Sequence, residues 1–408
     1  MATFTSQEYI NLEDQFGAHN YHPLPVVLSR GKGVFVWDVE GKKYYDFLSA
    51  YSAVNQGHCH PRIIKALRKQ AKKLTLTSRA FYNDCLGKFE KYASALLGYD
   101  KMLPMNTGAE GVETALKLCR RWAYDKKGIK ENKAKIIVCT GNFHGRTITI
   151  ISMSTDPDSY KGFGPYTPGF VVIPYNDIKA LEEALQDKDV AGFLVEPIQG
   201  EAGVFVPDDG YLKKAWDLCR NNNVLFIADE VQTGLARTGK MLACQHEEVR
   251  PDILILGKAL SGGVLPISAV FCDNEIMLCI KPGEHGSTFG GNPLASKVGM
   301  ASLKVLVDEK LAGNAEKLGK IFRDELKIFE KEHDMVESVR GKGLLNAIVI
   351  KPKNGKTAWD VCIALKNNGL LAKPTHDHII RFAPPLVITE DQLLEAIEII
   401  KDTLNEFS

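Results

Sequence analysis

Five short runs along the chain are apolar almost without interruption. They are Lys135-Ile136-Ile137-Val138-Cys139, Phe170-Val171-Val172-Ile173, Ala191-Gly192-Phe193-Leu194-Val195, Val224-Leu225-Phe226-Ile227-Ala228 and Ile253-Leu254-Ile255-Leu256. A strand with one wet face alternates apolar and polar residues; a run without alternation is buried on both faces. That constraint leaves few architectures. It predicts an α/β domain, with a mostly parallel central sheet and helices on both faces, over about residues 52–311, where helical periodicity separates the runs. Residues 1–51 read as an arm and a hairpin, with β-rich segments Val34–Asp38 and Lys43–Phe47 around the turn Glu40-Gly41-Lys42. Residues 312–408 read as a smaller α+β domain: a helix, strands near 344–350 and 379–383, and a last helix. The boundary falls inside the helical region from Pro293 to Leu326, without a linker.

Charge narrows the function. Lys plus Arg number 51 and Asp plus Glu 50, so the net charge of +1 gives no footprint for a phosphate backbone or an anionic membrane. No run approaches the roughly 18 apolar residues of a membrane span. The expected partners are small molecules, with no nucleic acid and no membrane. The nine cysteines are odd in number and form no C-x-x-C pair, which predicts reduced thiols. Before Arg30 the chain has no Lys or Arg but carries Glu8, Glu13 and Asp14, unlike an Arg-rich transit peptide, and the expected location is cytoplasmic.

In open α/β sheets, ligands sit beyond the carboxyl ends of the strands. Three runs deliver polar residues there: Asp229-Glu230, Gly257-Lys258, and Glu196-Pro197-Ile198-Gln199-Gly200-Glu201. A lysine amine can condense with a carbonyl, and a carboxylate can keep a pyridine nitrogen protonated, so Lys258 and Asp229 suit pyridoxal phosphate. A solvated lysine and a helix N-cap fit the same two residues. Asn106-Thr107-Gly108-Ala109-Glu110-Gly111, opening a helix from Val112 to Tyr124, suits an anion and equally an ordinary capped helix. Other matches fail. Gly234–Lys240 has P-loop spacing but ends in Met241, where a Ser or Thr is required, and no G-x-G-x-x-G occurs. His58-Cys59-His60 precedes Pro61 and reads as a turn, so no metal site is expected.

Longer motifs settle the class. From about Tyr21 onward the chain resembles the class III, ω-type aminotransferases, pyridoxal-phosphate enzymes of fold type I. The motifs are NQGHCHP at 55–61, NTGAEGVETALK at 106–117, NFHGRT at 142–147, VEPIQGEAGV at 195–204 and LFIADEVQTGLARTGK at 225–240. LGKALSGG at 256–263, GEHGSTFGGNP at 283–293, RGKGLLNAI at 340–348 and IIRFAPPL at 379–386 continue the match. The resemblance implies that Lys258 anchors the cofactor and carries protons, that Asp229 pairs with the ring nitrogen, and that Gln232 sits by the ring hydroxyl. Gly108 and Ala109 would bind the phosphate, Phe143 would stack on the ring, and Thr288 would reach the phosphate of a partner subunit in a homodimer with shared sites.

On the substrate side, the resemblance implies that Arg146 and Tyr21 clamp the α-carboxylate of L-ornithine and that Tyr51 lines the pocket. Arg381 would take the α-carboxylate of 2-oxoglutarate, and Glu201 would neutralise Arg381 while the diamine is bound. The implied reaction moves the δ-amino group of L-ornithine to a 2-oxo acid by ping-pong transfer, giving glutamate 5-semialdehyde and glutamate. Acetylornithine or 4-aminobutyrate transamination is the alternative on the same scaffold. A non-catalytic paralogue is disfavoured, because Lys258, Asp229 and Thr288 are all intact. Two departures stand out: His144, expected to alter packing near the phosphate without touching the reacting atoms, and Gly111-Val112, expected in a variable loop.

Overall fold

The computed structural model describes residues 4–351 and 355–407. Its centre is a seven-stranded sheet. From one edge to the other the strands are Lys101–Met105, Ser268–Cys272, Ile253–Leu256, Leu225–Asp229, Val190–Val195, Lys135–Cys139 and Phe170–Ile173. The last five are parallel, while Ser268–Cys272 runs antiparallel to both of its neighbours. The expected apolar runs are the five parallel strands. Lys101–Met105 escapes a search for such runs, because Lys101 and Pro104 interrupt it, whereas Ala269-Val270-Phe271-Cys272 is an unbroken apolar run that adds a sixth to the expected five.

Successive residues of one strand enter two different cores. Ile137, Phe193, Phe226 and Leu254 pack on one face, and Ile136, Val138, Leu194, Ile227 and Ile255 on the other. Side chains alternate with period two, so a strand apolar at every position fills both sides at once. Helix Gly108–Trp122 covers the second face through Val112, Ala115, Leu118, Cys119 and Trp122. Helix Pro293–Asp308 adds Val298, Leu303 and Leu306 to the first.

The expected hairpin forms as Phe35–Asp38 and Lys43–Asp46, with Leu28–Lys32 added outside. Its sheet is completed from the far end of the chain by Leu370–Leu371, parallel to Lys43–Asp46. A third sheet orders Val336–Lys342, Leu345–Ile350, Ile379–Phe382 and Lys373–Thr375, behind helix Leu311–Glu332, where the 312–408 segment was expected to begin. Helix Ser6–Phe16, unforeseen in the arm, is opened by a capping box of Thr5 and Glu8 and buries no residue.

Arg237 ties these parts together. Among the described residues it is the largest fully buried side chain, and none of its hydrogen-bond partners is a carboxylate. Nη1 donates to the carbonyls of Leu344 at 2.9 Å and Pro384 at 2.6 Å, and Nη2 donates to Asn55 Oδ1 at 2.6 Å. Burial pulls its pKa down to about 9, against the favourable charge of Asp46. The neighbouring backbone leaves no slack, since a Cβ on Gly343 would sit 2.3 Å from the Thr238 carbonyl carbon. Replacing Arg237 by Met would orphan three buried acceptors, each worth about 1–3 kcal/mol. Arg237→Met is expected to lose about 3 kcal/mol or more in denaturant unfolding of the holoenzyme, with Arg237→Lys intermediate; a loss under about 1 kcal/mol would show that the staple is dispensable.

Candidate active site

The register of the parallel strands sets their polar ends side by side. Val195 lies across from Ala228, and Asp229 across from Ile255, so Glu196, Asp229 and Lys258 leave the sheet at adjacent positions. Lys258 follows Gly257 into a short 3-10 turn with φ of 41°. Its amine makes no hydrogen bond among the described residues. Burial holds its pKa below the ordinary lysine range, although the carboxylates of Glu201, Asp229 and Glu196 oppose the shift. A lysine so placed loses its proton more readily, which a nucleophilic amine requires.

Asp229 is buried at its strand end. Oδ1 accepts the Val231 N–H at 3.0 Å, and Oδ2 lies 2.7 Å from His144 Nδ1. Burial alone would lower the pKa of His144, but the hydrogen bond and charge of Asp229 outweigh it and raise it. His144 therefore backs Asp229, a role that the expectation of altered packing near the phosphate did not include. The rule that polar residues beyond strand ends build the site, applied to Lys135–Cys139 as well, would have found it. Glu196 lies close by, accepts the Phe143 N–H at 2.8 Å, and is pushed up to about 7 by burial. Gly111 and Val112 are buried inside helix Gly108–Trp122 and are not in a loop.

That helix starts four residues earlier than its apolar pattern suggests, because Thr107 and Glu110 form a capping box. Glu110 accepts the N–H groups of Asn106 and Thr107, and Thr107 Oγ1 accepts that of Glu110. The N–H groups of Gly108 and Ala109 have no partner among the described residues, as at the first turn of any helix. A cavity of about 380 Å³ joins this helix start to Lys258, lined also by Asn106, Thr107, Ser261 and Gly263. Free amides at a helix start suit a phosphate.

Across the sheet ends, Arg381 comes from strand Ile379–Phe382 and is only 3% exposed. Nη1 donates to Glu201 Oε1 at 2.8 Å, and Nη2 donates to Oε2 at 3.2 Å, a two-pronged pair. Nη1 also reaches the Gly200 carbonyl at 3.1 Å, while Nε has no partner. Gln232 Nε2 donates to Glu201 Oε1 at 3.1 Å. Burial would raise the Glu201 pKa, but Arg381 holds it below the ordinary range. The Arg381 guanidinium lies 4.9 Å from the centre of the Tyr51 ring.

Lys258, Asp229, Gln232, Glu201, Arg381 and Tyr51 thus lie around one set of strand ends, with Phe143 tied to them through Glu196. Arg146 joins them only through Phe143, and Tyr21 and Thr288 stand apart. Arg146 is exposed, with its guanidinium 5.6 Å from the Phe143 ring centre. Tyr21 is 75% exposed and lines a cavity of about 670 Å³ along the arm, with Tyr9, Glu13 and His22. No hydrogen bond or ring contact joins Tyr21 to Arg146 among the described residues. Thr288 is exposed in a loop held by its neighbour, whose Ser287 Oγ accepts from Asn106 Nδ2 at 2.8 Å.

A deprotonatable amine calls for an aldehyde, free helix-start amides call for a phosphate, and a buried histidine-backed carboxylate calls for a basic ring nitrogen. Pyridoxal phosphate brings all three, and fold and site together define a pyridoxal-phosphate-dependent transaminase of fold type I. The comparisons agree. The sequence profile "Aminotransferase class-III" matches residues 16–404, and the chain belongs to that family. "Ornithine aminotransferase, mitochondrial" of Drosophila ananassae is 66% identical over 96% of this chain and 90% of that protein. The protein of the same name from Rattus norvegicus is 63% identical over 98% and 91%. Among solved structures, the ornithine aminotransferase of Toxoplasma gondii superposes with a TM-score of 0.97 at 52% identity, covering 99% of this chain and 96% of that one. An acetylornithine aminotransferase from Elizabethkingia anophelis gives 0.91 at 62% identity, covering 99% and 100%.

The pairing of His144 with Asp229 has a measurable sign. In Asp229→Asn the larger raising influence is gone, leaving burial opposed only by the charge of Glu196, so the His144 imidazole is expected to titrate lower than in wild type in ¹⁵N-imidazole NMR. An unchanged or higher titration would place the source of the shift elsewhere.

Proposed function

We infer that the enzyme transfers the δ-amino group of L-ornithine to 2-oxoglutarate, giving glutamate 5-semialdehyde and glutamate. The observation that carries this reading is the pairing of the buried Arg381 with the half-buried Glu201. A transaminase of α-amino acids needs an open arginine for the α-carboxylate. Here that arginine is covered, as a diamine entering by its δ-end requires, because an uncovered cation would repel it. The relatives named ornithine aminotransferase support the same reading.

When bound, pyridoxal phosphate supplies an electrophilic aldehyde carbon and an electron-withdrawing ring that stabilises charge at the substrate carbon. Gly108 and Ala109 would hold its phosphate, together with Thr288 of the partner subunit. Asp229, backed by His144, would keep the ring nitrogen protonated, with Phe143 on the ring face and Gln232 by the ring hydroxyl. Lys258 Nζ would take a proton from the substrate carbon and deliver it to the carbon the cofactor supplies. Arg146 and the Tyr21 hydroxyl hold the ornithine α-carboxylate, a guanidinium fork suiting a carboxylate best. When 2-oxoglutarate enters, Glu201 yields Arg381 to the incoming carboxylate.

The homodimer is part of this proposal. Phe16, Phe81, Tyr82 and Phe289 are exposed apolar groups in the arm, in the segment before helix Leu86–Leu97 and beside Thr288, with Phe81 at 72% exposure. A two-fold pair would cover such patches and bring Thr288 to a neighbour's phosphate. All nine cysteines are unpaired, which supports a reducing compartment, and we propose the cytosol.

The identity to an acetylornithine aminotransferase supports a second reading, in which the α-amino group is acylated. Initial rates with ornithine and N-acetylornithine separate the two, and a preference for the acylated donor would overturn the first. Lys258→Ala is expected to lose transamination by orders of magnitude, and wild-type turnover would refute the role of the amine. Mixing Lys258→Ala chains with Thr288→Ala chains should restore activity in the heterodimer; none after confirmed subunit exchange would contradict shared sites. In single turnovers, Glu201→Ala should slow the ornithine half-reaction selectively, and Arg381→Ala the 2-oxoglutarate half. Equal effects on both halves would refute the gate.

A further inference from the structure

Ser49, Ala50, Tyr51 and Ser52 have φ of 49°, 46°, 59° and 70°. Four successive non-glycine residues form a left-handed turn, in which each Cβ crowds the following carbonyl oxygen. Such backbone persists only where its surroundings impose it. The turn's own hydroxyls do not impose it, because Ser49 Oγ and Ser52 Oγ are buried without partners.

The constraint enters from Asp46. Its Oδ1 accepts the N–H of Leu48 at 2.9 Å and of Ser49 at 2.8 Å, the two amides leading into the turn. Its Oδ2 lies 2.7 Å from His58 Nε2. His58 is fixed in turn. Its backbone N–H and carbonyl both pair with Gly33, at 2.8 and 3.0 Å, and its ring lies where a Cβ on Gly31 would come within 2.9 Å. Downstream, the N–H groups of Ala53 and Val54 close on the Ser49 carbonyl at 2.8 and 3.1 Å. The Phe47 carbonyl accepts the Ala383 N–H at 2.7 Å, which ties the start of the turn to the end of the strand carrying Arg381. The product of this frame is one contact, the Tyr51 ring against the Arg381 guanidinium.

We propose that Asp46, oriented by His58, is a positioning residue for donor selection: it holds the left-handed turn that sets Tyr51 against Arg381. Its effect on donor choice runs through Tyr51, whereas its charge also favours the buried Arg237, and the inference rests on the reading of Tyr51 as a wall of the ornithine pocket. Asp46 thereby links the N-terminal hairpin to substrate choice.

The test compares holoenzymes of wild type, Asp46→Ala, Asp46→Asn, Tyr51→Ala and the Asp46→Ala/Tyr51→Ala double. The readout is the ratio of single-turnover efficiencies for L-ornithine and 4-aminobutyrate, an ω-amine without an α-amino group. Tyr51→Ala and Asp46→Ala are each expected to lower that ratio about tenfold, and the double no further than Tyr51→Ala, as for two residues acting through one contact. Asp46→Asn keeps an oxygen for the two amides and should retain most of the ratio. Ala50→Gly added to Asp46→Ala should restore part of it, since glycine takes positive φ without steric cost. If Asp46→Ala keeps the wild-type ratio while Tyr51→Ala loses it, the positioning role is overturned and the pocket reading stands. If Tyr51→Ala keeps the ratio, the pocket reading fails and this inference with it. Should Asp46→Ala not fold, His58→Leu replaces it; a shift in the same direction is expected, and an unchanged ratio would overturn the proposal.

Discussion

A fully buried guanidinium that meets only carbonyl oxygens fixes how this chain comes together. Arg237 lies between the strand-end loops of the parallel sheet, Asn55 behind the left-handed turn, and the carbonyls of Leu344 and Pro384 in the C-terminal part. Such a group is costly to bury, and the cost is met only if every segment arrives with its acceptor in place. Folding is thereby made mutual: none of the three segments can settle without the others. The parallel pairing of Lys43–Asp46 with Leu370–Leu371 makes the same demand on the two ends of the chain. The near-collision of Gly319 and Gly343, where a Cβ would come 1.8 Å from a carbonyl oxygen, removes the remaining freedom.

The chemistry inherits this geometry. Glu201 follows a strand of the central sheet, whereas Arg381 belongs to the C-terminal sheet, so their two-pronged contact exists only if the two sheets are held in register. The pair is buried enough for charge to matter, since a lone cation in that place would be strongly disfavoured, and close enough to Gln232 for both partners to be hydrogen-bonded. In the proposed function, uncovering this arginine is what lets one site serve a diamine and a dicarboxylate. Asp229 shows the same economy: His144, 2.7 Å behind it, fixes the buried carboxylate at the strand end, where the proposed function sets the ring nitrogen.

Much of this was legible in the residues, for physical reasons. The five parallel strands announce themselves because burial on both faces erases alternation. Asp229 and Lys258 stand out because a parallel sheet delivers its strand ends to one place. Edge strands such as Lys101–Met105 were not legible, since an edge tolerates Lys and Pro and loses the signal. His144 was misread because its role depends on a hydrogen bond across 85 residues of sequence. The left-handed turn at 49–52 was invisible, because its residues carry no glycine to mark positive φ and its cause, Asp46, lies outside it. Tyr21, Arg146 and Thr288 have roles that only the family resemblance suggests, and each lies exposed on a single chain.

The central claim is that the distal amine of ornithine reacts while its α-end is held away, and isotope placement tests it most directly. Holoenzyme is incubated with 2-oxoglutarate and L-ornithine carrying ¹⁵N at either the δ- or the α-nitrogen, and the products are separated for mass spectrometry. The account predicts that δ-¹⁵N appears in glutamate, while α-¹⁵N stays with the semialdehyde and enters the ring formed when it cyclises. Recovery of α-¹⁵N in glutamate would contradict it.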